Sequence, residues 1–128
     1  MQPKLRVEKL SPNHDLSRFD CGNQALNDFL KRYALKGQQA GIPQTYTAIA
    51  DDTIAGFHTL VVGQAEYDDA PERLGKGLPR YPIPVVILAR LAVNRSWQGK
   101  SLGGALVVDA MRRILTAADI AGIRAMAV

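Results

Sequence analysis

The 128 residues predict a mixed α/β domain with a crossover helix late in the chain, and three observations carry the prediction. Two β-prone runs, Thr45 to Ala50 and Ile54 to Val62, flank a short Asp51-Asp52 turn and read as a hairpin. A mostly apolar run, Val85 through Val93, reads as a central strand covered on both faces. Beyond it, Val107, Ala110, Met111, Ile114 and Ala118 fall at helical spacing, which predicts an amphipathic helix from Leu102 to about Ala118. A strand, a helix and a further apolar run in that order make a crossover unit.

The remaining elements follow along the chain. Lys4 to Leu10 alternates, with Leu5, Val7 and Lys9 on one face, and reads as an edge strand. Cys21-Gly22 is a turn, and Asn23 is placed to cap a helix. Leu26, Phe29, Leu30 and Tyr33 lie on one face of that helix, a core stripe that Gly37 should end. Residues 68–84 hold four of the seven prolines, two glycines and three basic residues, a loop composition that favours function over mere connection. Gly122 should close the late helix and Ile123 to Val128 form a buried strand. The predicted order is β, α, β-β, β-α-β within a single domain over residues 1–128.

Composition excludes several classes. Apolar residues make up 47% and charged residues 22%, a globular balance. The one cysteine, Cys21, rules out an internal disulfide framework and a cysteine-rich metal site, and no metal is expected. The N-terminal MQPKLRVEKL has no apolar signal run, and no stretch nears the ~18 apolar residues of a membrane span. A cytoplasmic protein without membrane contact is expected. The net charge is +4, and residues 65–128 carry nine basic against six acidic side chains. That bias suits a phosphate-rich partner as well as it suits a plain soluble surface.

The chemistry concentrates in Arg90 to Leu106, where a strand enters a glycine-containing loop and the loop enters a helix. Free N–H groups at a helix start favour an anion, Gly99, Gly103 and Gly104 admit close approach, and Lys100 adds charge. Read from residues alone, this is a pyrophosphate cradle or a tight strand-to-helix turn, and the three glycines with a lysine favour the cradle. Gly99-Lys100-Ser101 ends like a nucleotide P-loop, but that motif needs glycine where Asn94 stands.

Gln98-Gly99-Lys100-Ser101-Leu102-Gly103 matches the acyl-CoA signature Q/R-x-x-G-x-G/A except at Ser101, where glycine is usual. With the strand end Leu91-Ala92-Val93 it resembles the GNAT N-acetyltransferase superfamily. Phe19-Asp20-Cys21-Gly22, Leu26, Phe29-Leu30, Tyr33-Ala34, Thr45-Tyr46 and Pro84 to Val93 narrow the resemblance to the TacT/KacT/AtaT-like toxins of bacterial toxin–antitoxin pairs. The resemblance runs from about Phe19 to Val128. It implies a mixed, mostly antiparallel sheet flanked by helices, acetyl-CoA as donor, acetylation of the α-amine of aminoacyl-tRNA, a block of translation, a homodimer and a ribbon-helix-helix antitoxin. It also implies that Leu91, Ala92 and Val93 pair with pantetheine and that Gln98, Gly99, Lys100, Ser101, Leu102, Gly103 and Gly104 hold the pyrophosphate. The Val93 N–H would polarise the thioester carbonyl. Ser101 serves if its φ is negative. The family continues with another helix and two strands, including the tyrosine that reprotonates the CoA thiolate, and no residue here matches that tyrosine. The chain is therefore expected to lack the C-terminal helix and strands of the domain while keeping its donor site.

An amine must be neutral to attack. Residues 85–89 offer no acid, which serves a lysine near ~10.4 poorly and an α-amine near ~8 well enough. Glu66, Asp68 and Asp69 stand as possible bases or as a solvated turn. Arg73, Lys76, Arg80, Arg90 and Arg95 lie in or beside the Pro-rich loop and the cofactor strand, as tRNA contacts or ordinary surface charge. His14 and His58 read as isolated surface or core histidines, and Trp97 as packing for the cofactor or the loop. The alternatives to the toxin reading are a GNAT enzyme acting on a small amine or protein N-terminus, and a non-catalytic fragment that binds CoA or the antitoxin.

Overall fold

A computed structural model describes residues 5–41, 43–65, 83–121 and 125–127. Five strands form one sheet in the order β1-β2-β3-β4-β5: β1 is Leu5–Lys9, β2 Pro43–Ala50, β3 Thr53–Ala65, β4 Ile83–Val93 and β5 Ala125–Ala127. The first four are antiparallel neighbours, and β5 runs parallel to β4 after the helix α3, Leu102–Ala121. The hairpin, the central strand and the late crossover all form as expected. Asp51 and Asp52 both have positive φ, 48° and 66°, the backbone of a two-residue hairpin turn that matches strand twist.

The helical segment after Asn23 departs from expectation. Asn23 does cap it, its side chain accepting the Leu26 N–H at 3.2 Å. The segment then runs as α1 (Gln24–Asp28), a π-turn (Phe29–Tyr33) and α2 (Ala34–Gln39). A π-turn inserts one residue into the helical repeat. Phe29, Leu30 and Ala34 are therefore buried, and Tyr33, expected in the core stripe, is 60% exposed. Gly37 does not end the helix either. A Cβ there would lie 2.6 Å from Pro43 Cγ, so glycine lets α2 cross the start of β2. The helix ends at Gln39.

The two faces of the sheet bury different cores. On one, Phe57 meets Phe19 edge-on at 5.6 Å and Phe29 at 6.1 Å, with Leu30, Ile49, Ile54 and Ala92 around them. On the other, α3 lays down Leu102, Leu106, Ala110 and Ile114, a single i, i+4 row. That row is narrower than the predicted stripe. Val107 and Met111 are 37% and 45% exposed because only one ridge of the helix meets the sheet.

Gly56 on β3 marks the closest approach of these layers, since a Cβ there would lie 2.8 Å from Ala92 O and 3.0 Å from Leu106 Cδ1. Gly56→Ala should cost about 1–3 kcal/mol through overpacking. Urea unfolding should show the loss, and a midpoint equal to the parent would mean that the layers yield freely there.

Candidate functional site

The site grows from an asymmetry in β4. Its register with β3 runs from Ile83 to Val93, with a bulge that leaves Ala89 unpaired. At its end Asn94 N–H donates to Ala55 O at 2.8 Å. That bond makes Gly56 and Val93 a non-hydrogen-bonded pair, so the N–H and C=O of Val93, and by alternation those of Leu91, point away from β3. Strand β5 pairs with β4 on that side only at Val85, Val86 and Ile87. Among the described residues the β4 edge is thus left open toward Val93. The Ala92 side chain is buried among Phe57 and Ile54, and those of Leu91 and Val93 pack on the α3 side.

After Val93 the chain makes one 3-10 turn, Arg95–Trp97, capped by the Asn94 side chain. Gln98 then acts as a staple, its Nε2 donating to Val93 O and to Cys21 O, both at 2.9 Å. Its own N–H donates to Arg95 O at 3.3 Å. The Val93 carbonyl is therefore engaged, and its N–H is left toward the open edge. A second tie comes from Asp20, whose main-chain O accepts the Arg95 N–H at 2.8 Å. The Asp20 carboxylate accepts from Gly22 N–H and Asn27 Nδ2, and these bonds hold its pKa below the ordinary aspartate value.

Gly99, φ +81°, and Ser101, φ +65°, follow. Left-handed residues in a turn gather successive N–H groups into an anion-binding concavity. Among the described residues no amide from Gly99 to Gly104 donates to the backbone, and the first helical bond is Ala105 N–H to Ser101 O at 3.2 Å. A Cβ at Gly99 or Gly104 would meet nothing within 4 Å, so both positions border open space. The Lys100 ammonium lies 5.2 Å from the centroid of Trp97, whose ring packs on the α3 core. Leu102 is buried, and only its amide is offered to a ligand. The condition set for Ser101, a negative φ, is not met: its backbone is glycine-like and carries a serine, and its amide belongs to the turn in the left-handed conformation instead.

The predicted basic cluster is only partly described, since Arg73, Lys76 and Arg80 lie outside the described residues, as do Glu66, Asp68 and Asp69. Arg90 and Arg95 are both exposed but differently engaged. Arg90 lies 4.0 Å above the Phe29 ring, and Arg95 Nε sits 3.5 Å from Asp20. Among the described residues no three His, Cys, Asp or Glu side chains gather to hold a metal. No described helix is long and apolar enough to cross a membrane.

His58 is not isolated. It is fully buried on β3, with Nε2 2.8 Å from Asp109 Oδ2 on α3, and its ring stacks on Tyr46 at 5.3 Å. Arg113 also donates to Asp109 and lies 4.0 Å over Tyr46. Burial lowers the His58 pKa below 6.5, against the raising effect of Asp109. Burial opposes ionisation of Asp109, but hydrogen bonds from Arg113 and His58 outweigh it and lower its pKa. The 51 positions between His58 and Asp109 hide this cluster from a sequence reading. Only the i, i+4 pair of Asp109 and Arg113 was a local signal.

An open strand edge running into a glycine-containing helix start, on a largely antiparallel sheet, fits the architecture of the GNAT fold. No protein-family model matches the chain. A tRNA-acetylating toxin of Mycobacterium tuberculosis is 37% identical over 120 residues, which cover 94% of this chain and 72% of that protein. The solved structure of AtaT complexed with acetyl-methionyl-tRNAfMet superposes with a TM-score of 0.87 at 32% identity, over 96% of this chain and 76% of that one. A mutant AtaT bound to the C-terminus of the antitoxin AtaR and acetyl-CoA gives 0.76 at 30% identity, over 96% and 72%. The chain belongs to the family of GNAT-type, tRNA-acetylating toxins.

Two measurements check the physical account. Ser101→Gly should stabilise the protein by roughly 0.5–1 kcal/mol, because relief of left-handed strain exceeds the entropy glycine adds to the unfolded chain. A destabilised variant in urea unfolding would contradict the backbone assignment. The unfolded chain binds a proton at His58 near 6.5 and the folded chain resists it. The stability this contributes is present above about 6.5 and is lost as pH falls toward the folded value. His58→Gln should flatten that acid limb, and a parallel pH profile would show that other groups carry it.

Proposed function

We propose that this chain is an acetyl-CoA-dependent N-acetyltransferase toxin that acetylates the α-amine of aminoacyl-tRNA and so blocks translation. The carrying observation is the cradle from Gly99 to Gly104 beside the open β4 edge, in a chain 37% identical to a tRNA-acetylating toxin.

The residues divide the work by what each has left to offer. The amides of Gly99, Lys100, Ser101, Leu102, Gly103 and Gly104 hold the pyrophosphate, helped by the helix dipole. Gln98 contributes by pinning Val93 O to Cys21 O, which keeps the loop under the cradle. The outward polar atoms of Leu91 hold the pantetheine amides, and Ala92 anchors the strand. The Val93 N–H is a fixed donor for a thioester oxygen, and a preorganised donor aimed at developing charge is an effective catalytic device. Acetyl-CoA, when bound, supplies the activated acetyl group.

The described part of β4 from Val85 to Ala89 carries no carboxylate. An acceptor already part-neutral near pH 7 suits that surrounding, and an α-amine near ~8 is such an acceptor. Arg90 and Arg95, with Arg73, Lys76 and Arg80, are the proposed tRNA phosphate contacts. By the same reading the protein works in the cytoplasm as a homodimer and is neutralised by a ribbon-helix-helix antitoxin.

The test is transfer of labelled acetyl from acetyl-CoA to charged tRNA. Label should move to the α-amine of aminoacyl-tRNA and not to uncharged tRNA. Transfer that proceeds equally well to small amines or to a protein N-terminus would overturn the substrate reading. Gly99→Asp and Gly103→Asp place negative charge in the cradle and should weaken acetyl-CoA binding by about tenfold or more in calorimetry. Unchanged affinity in both would overturn the cradle.

A further inference from the structure

The face that α3 turns to the sheet is one row, Leu102, Leu106, Ala110 and Ile114. Beneath its first half lie Ala48, Ala50 and Ala55, and beneath its second half Leu60 and Val86. Apolar contact of this kind holds a helix down without fixing where it stops along its axis. Apart from the notch at Gly56, which both Leu102 and Leu106 adjoin, the alanines give shallow relief, and a slide of one turn, about 5.4 Å, puts Leu106 where Leu102 was. Hydrogen bonds do fix position, because they tolerate little change in distance or angle.

Among the described residues, the hydrogen bonds from α3 side chains to the sheet come from one cluster. His58 Nε2 meets Asp109 Oδ2 at 2.8 Å, and Arg113 Nη2 reaches Val7 O at 3.4 Å. Arg113 also donates to Asp109 at 2.8 Å, so the carboxylate accepts from both and the His58 proton lies on Nε2. The other nitrogen, Nδ1, is buried and meets no partner among the described residues. A buried imidazole with an unpaired nitrogen is a poor device for stability alone. It stands opposite Leu91 in the β3–β4 register, two residues from Val93. Asp109 lies five residues after Gly104, about 7.5 Å along the helix.

We infer that His58 and Asp109 are positioning residues whose buried hydrogen bond sets the axial register of α3 and thereby the place of the Gly99–Gly104 amides against Val93. The inference rests on reading that cradle as the acetyl-CoA site. Asp109→Leu removes the acceptor, Asp109→Asn keeps one, and the double variant His58→Leu/Asp109→Leu removes both partners together with the unpaired nitrogen. Ile54→Val, in the core on the other face of the sheet, serves as a control that lowers stability without touching the pin.

Two readouts are taken on each folded protein: acetyl-CoA affinity by calorimetry, and the amide resonances of Gly99, Gly103 and Gly104. Asp109→Leu and the double variant should weaken binding by about tenfold and shift or split the three glycine resonances. Asp109→Asn should restore both, and Ile54→Val should leave both as in the parent. A double variant with parental resonances and affinity would overturn the inference, as would a control that loses affinity to the same degree. If the parent itself does not bind acetyl-CoA, the cradle reading fails. The glycine resonances still decide the register: movement in the double variant with rescue in Asp109→Asn supports the pin, and no movement refutes it.

Discussion

Strand β4 has a partner along its β3 edge as far as Val93, yet among the described residues its other edge is paired only at Val85 to Ile87, and the candidate site depends on that inequality. A fully paired strand has no main-chain donors to give, and a free strand has no fixed direction in which to give them. Here β3 supplies the direction. Because Asn94 N–H bonds Ala55 O, the parity of the ladder is set, and Leu91 and Val93 present their polar atoms outward. The bulge at Ala89 adds to this by bending β4 between the part that pairs with β5 and the part that does not. The open edge is thus a product of register, and a one-residue slip would offer Ala92 in place of its neighbours.

The loop that follows is held by bonds to a distant part of the chain. Gln98 and Arg95 both reach the Phe19–Gly22 segment, the first by its side chain to Cys21 O and the second by its amide to Asp20 O. That segment is itself tied down by Asn27, 6% exposed, which donates to Asp20 and accepts from Cys21 N–H. The cradle is therefore carried on a frame that links the α1 start, the end of β4 and the start of α3. Within it, Ser101 holds a left-handed backbone against the usual preference of a side-chain-bearing residue, at a cost of about 1–2 kcal/mol. Strain of that size persists only where neighbouring contacts hold it in place.

What the sequence made legible was whatever rests on local period and local chemistry. Alternation marked β1, the Asp51-Asp52 pair marked its turn, and the glycines after Val93 marked the strand-to-helix turn. The failures share a cause. A plain helical repeat places Tyr33 in the core, and the π-turn over Phe29–Tyr33 rotates it outward while Phe29 and Leu30 stay buried. Gly37 was read as a stop signal, whereas its meaning is the 2.6 Å that a Cβ would leave to Pro43. Gln98 matched a signature position without disclosing that its side chain bonds Cys21 O, 77 residues away. His58 and Asp109 fail in the same way. Long-range partners leave no periodic trace, and the residues involved are single polar positions inside otherwise apolar elements.

The alternation of β4 also decides how two polyanionic substrates can meet on the proposed function. Arg90 and Leu91 are consecutive and so face opposite sides of the sheet. Leu91 lies on the α3 side, with the cradle and its amides, while Arg90 lies on the α1 side, stacked on Phe29. On that proposal a donor held by the helix start and an acceptor steered by Arg90 would approach one strand from its two faces, with the Val93 edge between them. Each anion meets its own positive group, main-chain N–H and dipole on one side, guanidinium on the other. Distance limits their mutual repulsion, since the low-dielectric sheet does not screen it. The Phe29 ring adds the last element, since a guanidinium stacked on an aromatic face keeps its in-plane N–H groups free for phosphate.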